Sequence, residues 1–148
     1  MIDSVRDYIA NCPYLDDFTE VNVNYLVDKV KAYSVNEGAS YNPIITTDIL
    51  GNEESQFQFT FDAKFYWNDE IANNVDNSNF FENFSNWLRE NNNNKIFPTI
   101  GSDDISITSI SANSNGYIFD TSSDEAIYRI SCVMNYTRWN NDWNKKCL

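Results

Sequence analysis

The feature that most constrains the fold is a strict alternation between residues 56 and 65. The apolar positions are Phe57, Phe59, Phe61, Ala63 and Phe65, and the polar positions between them are Gln56, Gln58, Thr60, Asp62 and Lys64. Successive side chains of a β-strand point to opposite faces of a sheet. The run therefore predicts a strand with one face buried in a core and the other face in water.

Further strands are expected on both sides of this run. The β-branched segment 44–49 precedes it, and Gly51-Asn52 is suited to a turn, so the two segments predict a β-hairpin. Weaker alternation predicts short strands over residues 20–24 and 30–35.

The last third of the sequence predicts a meander of antiparallel strands. A strand is expected over residues 105–111, and a slip in its apolar spacing after Ile107 indicates a β-bulge. Asn115-Gly116 is typical of a tight hairpin turn, because both residues tolerate a positive φ. A strand over 117–120 and a turn over 122–125 follow. A final strand is predicted from alternating apolar residues, which are Tyr128, Ile130, Cys132, Met134 and Tyr136.

Two segments have helical periodicity. Residues 2–11 place Ile2, Val5 and Ile9 on one face before Pro13, and residues 79–92 carry an apolar stripe. The stripe consists of Phe80, Phe81, Phe84, Trp87 and Leu88, with Ser78 or Asn79 expected as the N-cap. The order of elements predicts an α+β fold, with a mostly antiparallel sheet and two main helices packed on one side. We expect a single domain over residues 1–138 and a C-terminal tail over 139–148.

The charge balance excludes several classes of partner. The chain has 10 basic and 22 acidic residues, a net charge of −12 and no histidine. Proteins that bind nucleic acid or anionic membranes cluster Lys and Arg, whereas the one adjacent basic pair here is Lys145-Lys146. Without histidine there is no Ser-His-Asp triad and no Cys/His zinc site. We expect no enzymatic activity, no cofactor and no metal.

Cysteine usage and the N-terminus indicate a reducing compartment. Cys12, Cys132 and Cys147 are widely spaced and odd in number. No basic segment followed by an apolar run opens the chain, and no stretch is long and apolar enough to span a membrane. These features predict a cytosolic protein with reduced thiols, in which Cys132 packs in the core.

Two groups of residues are candidates for function. Adjacent acidic residues occur in four expected turns, at Asp16-Asp17, Glu53-Glu54, Asp103-Asp104 and Asp124-Glu125. Paired carboxylates can hydrolyse glycosides, but acidic residues in turns commonly serve as solvated surface, which is the interpretation favoured here. Trp139 and Trp143 stand near the C-terminus, where they would either fold back on the core or anchor an interface.

Three blocks of sequence carry a resemblance to a known family. They are residues 1–9 with Cys12-Pro13-Tyr14-Leu15, the helix with Phe80-Phe81-Glu82 and Trp87-Leu88, and the segment from Gly116-Tyr117-Ile118-Phe119-Asp120 to residues 126–132. Across residues 1–138 the chain resembles small proteins, termed minor capsid proteins, from phages of Gram-positive bacteria. Those proteins are similar to tail terminators.

The resemblance implies a structural virion protein, present in the host cytoplasm during assembly. Its copies would form a homo-hexameric ring that caps the tail tube and meets neck or head-completion proteins. DNA would pass through without specific binding, because an acidic lumen repels phosphate. Glu53, Glu54, Asp103 and Asp104 are the expected channel-lining residues, and Trp139 and Trp143 the expected interface residues. The alternatives are another head–tail connector or neck protein, or a small acidic inhibitor or immunity protein.

Overall fold

The computed structural model describes residues 1–15, 21–24, 32–38, 44–66, 71–121 and 125–140. Within these ranges the chain forms two helices and seven strands. They are, in order, α1 (Ile2–Ile9), β1 (Val21–Val23), β2 (Ala32–Glu37), β3 (Ile44–Thr47), β4 (Glu53–Tyr66), α2 (Ile71–Asn93), β5 (Ile105–Ala112), β6 (Tyr117–Thr121) and β7 (Glu125–Arg138).

Two long antiparallel strands form the centre of one seven-stranded sheet. β4 and β7 have 14 residues each and pair along their whole length, from Glu53 opposite Arg138 to Tyr66 opposite Glu125. Each long strand has two shorter strands along its other edge: β2 and β3 pair with β4, and β5 and β6 pair with β7. β1 adds a parallel pairing to β2, while the remaining pairings are antiparallel. The predicted α+β fold is confirmed.

Both helices pack against one face of this sheet. The phenylalanines of β4 lie on that face, and the Phe61 ring stacks on the Phe84 ring of α2 with centroids 4.7 Å apart. Most of the predicted core is buried, namely Phe59, Phe61, Phe65, Phe84, Leu88, Tyr128, Ile130 and Cys132. Phe57 and Trp87 are half-buried and pack against the margin of the core.

The opposite face of β4 is less exposed than the alternation predicts. Asp62 is 5% exposed and Lys64 is 8% exposed, so the prediction that this whole face lies in water is wrong. The reason is a polar network between strands. Asp62 accepts hydrogen bonds from Arg129 of β7 and from Asn36 of β2, whose amide nitrogen also lies 3.2 Å from the Thr60 hydroxyl. Burying a carboxylate requires such compensation.

The predicted turn at Asn115-Gly116 is also wrong. β5 and β6 do not pair with each other; both run antiparallel to β7, which is long enough to accept them one after the other. Asn115 and Gly116 therefore lie in a short interruption along one edge. The glycine is needed for another reason, because a Cβ at Gly116 would lie 2.5 Å from Cγ of Phe81. Of the turn expected over residues 122–125, residues 122–124 lie outside the described residues.

The local predictions around the first hairpin and the bulge are confirmed. β3 pairs with the start of β4, and the turn contains Gly51 at a φ of +83°. The register of β5 against β7 shifts between Ile107 and Ser109, where the apolar spacing slips. The strands expected over 20–24 and 30–35 correspond to β1 and β2 within the described residues.

The second helix is longer than its apolar stripe. α2 begins at Ile71, so Ser78 and Asn79 lie within the helix and are not its N-cap. It ends at Asn93, where Lys95 takes a positive φ of 56° and the Ile96 amide donates to the Asn91 carbonyl. This geometry satisfies carbonyls that the end of a helix leaves without intrahelical partners.

Candidate functional site

An open cleft of about 470 Å³ lies at the end of the sheet where β4 begins and β7 ends. We name it the acidic cleft. It is lined by Gly51, Glu53, Asp103, Asp104, Arg138, Trp139 and Asn140. The register of the sheet explains how distant segments meet, because Glu53 pairs with Arg138 and Arg138 pairs with Ile105. The loop before β5 thereby brings Asp103 and Asp104 next to the end of β7.

Trp139 is held at the cleft by two hydrogen bonds. Its backbone amide donates to the Asp104 carbonyl at 2.7 Å, and its indole Nε1 donates to the Ser106 hydroxyl at 2.9 Å. The side chain nevertheless remains 47% exposed. A tryptophan that is fixed in orientation and half open to solvent has the character of an interface anchor.

Asn140 ties the end of β7 to the β3–β4 turn. Its backbone amide donates to the Asn52 side-chain oxygen, and its own side-chain amide donates to the Leu50 carbonyl, both at 2.7 Å. The turn is organised from within by Asp48, whose carboxylate accepts from the Leu50 and Asn52 amides at 2.9 Å. The hydrogen bond from the Asn52 side chain is the largest influence that lowers the pKa of Asp48.

Hydrogen bonds around Asp104 favour the ionised form of its carboxyl group. The Ser102 hydroxyl donates to Asp104, and this bond, followed by backbone hydrogen bonding and the charge of Arg138, holds the pKa of Asp104 below its usual value. Arg138 makes one 3.4 Å contact with Asp104 and is the single cation among three lining carboxylates. A general acid needs a raised pKa, so the shift at Asp104 is opposite to that of an acid catalyst. The cleft suits repulsion of phosphate or attraction of a cation.

The structure brings together four of the residues that the sequence singled out. Glu53, Asp103, Asp104 and Trp139 all line the acidic cleft. Glu54 is exposed but, as the next residue along β4, points to the other face of the sheet. Glu53 and Glu54 begin β4 and do not form a turn, in contrast to the expectation.

The other candidates are not among the lining residues that the structure describes. Glu125 begins β7, while Trp143, Asp16-Asp17 and Asp124 are outside the described residues. Sequence reasoning missed Arg138 and Asn140, which occupy the cleft because β7 runs antiparallel to β4 over its full length. The Gly51-Asn52 turn signal pointed to the correct hairpin but gave no sign that Asn140, just after β7, would hydrogen-bond to it.

The chain matches no family model and no curated protein. Among the described residues, no cluster of three or more metal-ligating side chains is present. In the same part of the chain, no helix has the length and apolar character needed to cross a membrane.

Proposed function

We propose that the chain is a structural assembly protein, a bacteriophage tail terminator whose copies form a hexameric ring. The ring would cap the tail tube, contact the tail-tube protein on one side and neck or head-completion proteins on the other, and become part of the virion. The observation that carries the proposal is the acidic cleft, in which three separately predicted acidic residues and Trp139 meet at one end of the sheet.

The acidic cleft supports this role because a ring would multiply its charge. In the lining of the cleft, Glu53, Asp103 and Asp104 outnumber the single cation Arg138, and the hydrogen bond from Ser102 lowers the pKa of Asp104. Six copies would line a channel with carboxylates that repel DNA phosphates, so DNA would pass without binding. Trp139, fixed but half exposed beside these carboxylates, would contribute to the contact between neighbouring subunits.

The sequence blocks that carry the family resemblance contribute core residues to the fold. Their support for a ring is less direct. They supply the buried faces of three elements: Val5 and Ile9 in α1, Phe81 and Leu88 in α2, and Ile130 in β7. All of these residues belong to one core cluster. The residues behind the resemblance are thus core residues of this chain, and the ring-forming surfaces have to be tested separately.

The test measures whether the carboxylates of the acidic cleft prevent the assembled protein from binding DNA. The variant Glu53→Lys/Asp103→Lys should fold and assemble but retain linear double-stranded DNA in a gel-shift assay, whereas the unaltered chain should not. Glu82→Lys/Glu90→Lys is the matched control, since both residues are exposed on α2 and change the net charge equally. Assembly is measured by light scattering coupled to size exclusion, with six copies expected.

Two outcomes would contradict the proposal. If the control variant retains DNA as strongly as the cleft variant, net charge alone governs binding and the cleft does not face a channel. If light scattering gives a stable stoichiometry other than six, another connector or neck role replaces the terminator.

A further inference from the structure

The segment Asn115-Gly116 connects β5 to β6 without forming the hairpin turn that its sequence predicts. From Ala112 to Tyr117 the chain advances by five residues, whereas the opposite stretch of β7, from Cys132 to Arg129, advances by three. The difference, five minus three, leaves two residues that the ladder does not use. Within the described residues, neither Asn115 nor Gly116 has a partner on β7. The pair therefore lies outside the ladder that holds its neighbours.

The residues just before the pair are tied to β7. The Asn113 amide donates to the Ser131 carbonyl, and the Ser131 amide donates to the Ser114 hydroxyl, both at 2.9 Å. The Ser114 hydroxyl in turn donates to the Asn115 carbonyl at 3.0 Å. This carbonyl belongs to the peptide group that contains the Gly116 nitrogen. A hydrogen bond to the oxygen of a peptide group polarises it, so loss of the proton from its nitrogen becomes easier.

An open cleft of about 420 Å³ gives water access to this pair. Its lining includes Asn115 and Gly116 together with Glu82 and Arg89 of α2, and the Asn115 side chain is exposed. No side chain shields the Gly116 nitrogen, because the Phe81 ring occupies the place where a Cβ would stand. An exposed side-chain amide thus precedes an unshielded backbone nitrogen in a segment that water can reach.

We infer that Asn115 is a site of spontaneous deamidation, for which the chain itself supplies the nucleophile. The Gly116 backbone nitrogen loses its proton to the solvent and attacks the Asn115 side-chain carbon Cγ. The N–Cγ bond forms, the Cγ–Nδ2 bond breaks, and Nδ2 leaves as ammonia after taking up a proton, which closes a succinimide ring. Water then opens the ring at either carbonyl and gives aspartate or isoaspartate. In total, one water is consumed and one ammonia is released.

Other asparagines lack this combination of features. Asn115 is the only asparagine of the sequence that is followed by glycine. Asn113 is exposed as well, but its backbone amide is bonded to β7. The Asn52 side chain donates to Asp48 and accepts from the Asn140 amide, so it is held in place by two hydrogen bonds. We therefore expect both to react more slowly than Asn115.

The isoaspartate product changes the packing of α2 against this edge of the sheet. In isoaspartate the main chain passes through the former side chain and is longer by one carbon. Gly116 then cannot keep its close contact with Phe81, whose ring is 2% exposed and belongs to the core cluster. Displacing a buried ring from a close-packed core costs stability. This chemistry does not depend on the proposed function.

The test incubates the full chain at neutral pH and physiological temperature and follows each asparagine by peptide mass spectrometry. Replacing the amide by an acid adds about 1 Da, and fragment spectra separate Asn115 from Asn113. We expect Asn115 to be the first asparagine modified, with isoaspartate, detected by enzymatic methylation, as the main product. Asn115→Gln should not react at this position on the same timescale, because its longer side chain does not close the succinimide ring.

A synthetic peptide of residues 111–119 gives the rate without a fold. The native chain should react within about tenfold of this rate, because the pair lies outside the ladder. The same peptide with Gly116→Ala should react about tenfold more slowly, which measures the effect of the missing Cβ without disturbing the core.

Melting temperatures test the effect on packing. The aged chain that contains isoaspartate should melt about 2–4 °C below the fresh chain. Asn115→Asp adds the same charge without lengthening the main chain, and its melting temperature should equal that of the fresh chain, because residue 115 is exposed. Asn115→Gln is the control for ageing and should melt at the same temperature before and after incubation.

Three results would overturn the assignment of the site: a native chain that reacts more than about tenfold more slowly than the peptide, another asparagine that reacts first, or a product without isoaspartate. The last result would mean that water attacks the side chain directly and that Gly116 takes no part. An aged chain that contains isoaspartate but melts at the original temperature would reject the effect on the packing of Phe81.

Discussion

The Asp62 carboxylate and the Arg129 guanidinium form a two-point ion pair between the central strands β4 and β7. Arg129 Nε lies 2.8 Å from one carboxylate oxygen and an Arg129 terminal nitrogen lies 2.9 Å from the other. The Asp62 side chain is 7% exposed and the Arg129 side chain 23%. The hydrogen bonds to Asp62 raise the pKa of Arg129. The pair thus joins two directly opposite residues of these strands on the face away from the helices.

Removing one member of this pair should destabilise the fold. We expect Asp62→Ala to lower the free energy of unfolding by about 3 kcal/mol, because the guanidinium loses its partner in a mostly buried site. The control is Arg138→Ala, which breaks the exposed pair with Asp104 and should cost about 0–1 kcal/mol. Urea unfolding measures both. Equal effects of the two variants would show that the Asp62 site is as well solvated as the surface pair.

Gly116 should tolerate no side chain. Its missing Cβ leaves space for the Phe81 ring, which is 2% exposed, so Gly116→Ala forces a buried aromatic to move. We expect a loss of about 1–3 kcal/mol. Gly101→Ala is the matched control, since a Cβ there meets nothing within 4 Å and should be neutral or slightly stabilising. A stable Gly116→Ala protein in thermal melts would contradict the close packing of α2 on this edge.

The core assignment is tested at Phe59. This side chain is 1% exposed in the centre of the apolar face, so Phe59→Ala should cost about 3–5 kcal/mol in chemical denaturation. Phe57→Ala should cost less, because Phe57 lies on the same face but is half-buried. An unchanged stability of the Phe59 variant would mean that the assigned strand face is incorrect.

Cys12 should make the fold sensitive to alkaline pH. Burial raises the pKa of its thiol from 9.0 to about 11. Between these values the unfolded chain releases the proton while the native chain retains it, so stability falls as pH rises from about 9 to about 11. Burial raises the pKa of Cys132 in the same direction. Between about pH 9 and pH 11, the melting temperature of Cys12→Ala should fall less steeply with pH than that of the unaltered chain. An identical dependence on pH would mean that other groups cause the loss of stability.

The predictions from sequence succeeded where short-range patterns decide the structure. The alternation of β4, the hairpin through Gly51 and the bulge after Ile107 depend on neighbours in sequence, so they could be recognised. The burial of Asp62 could not be predicted, because its main partner Arg129 is 67 residues away. The hairpin prediction at Asn115-Gly116 failed for a related reason, because both flanking strands pair with β7. The nearby Phe81 ring explains why residue 116 is a glycine.

The same distinction between short-range patterns and long-range contacts explains how much of the candidate site could be predicted. Acidic pairs and a terminal tryptophan are visible in the sequence, but their convergence depends on β7 reaching the start of β4. The exposed aliphatic hairpin was predicted as a strand and a turn. The sequence pattern gave no sign that the apolar side chains of this hairpin would lie in solvent.

The dependence of assembly on salt separates a ring with an acidic lumen from an acidic inhibitor. The Debye length falls from about 30 Å at 0.01 M salt to about 8 Å at 0.15 M, so carboxylates facing one another across a channel repel less as salt is added. We therefore expect potassium chloride to increase the assembled fraction measured by light scattering.

The variant Glu53→Gln/Asp103→Asn removes two cleft charges per copy and should assemble with a weaker dependence on salt. An acidic inhibitor would behave oppositely, because its attraction to a basic target weakens as salt rises. Assembly that decreases with added salt, or a variant whose salt dependence equals that of the unaltered chain, would show that the acidic cleft does not face other copies of itself.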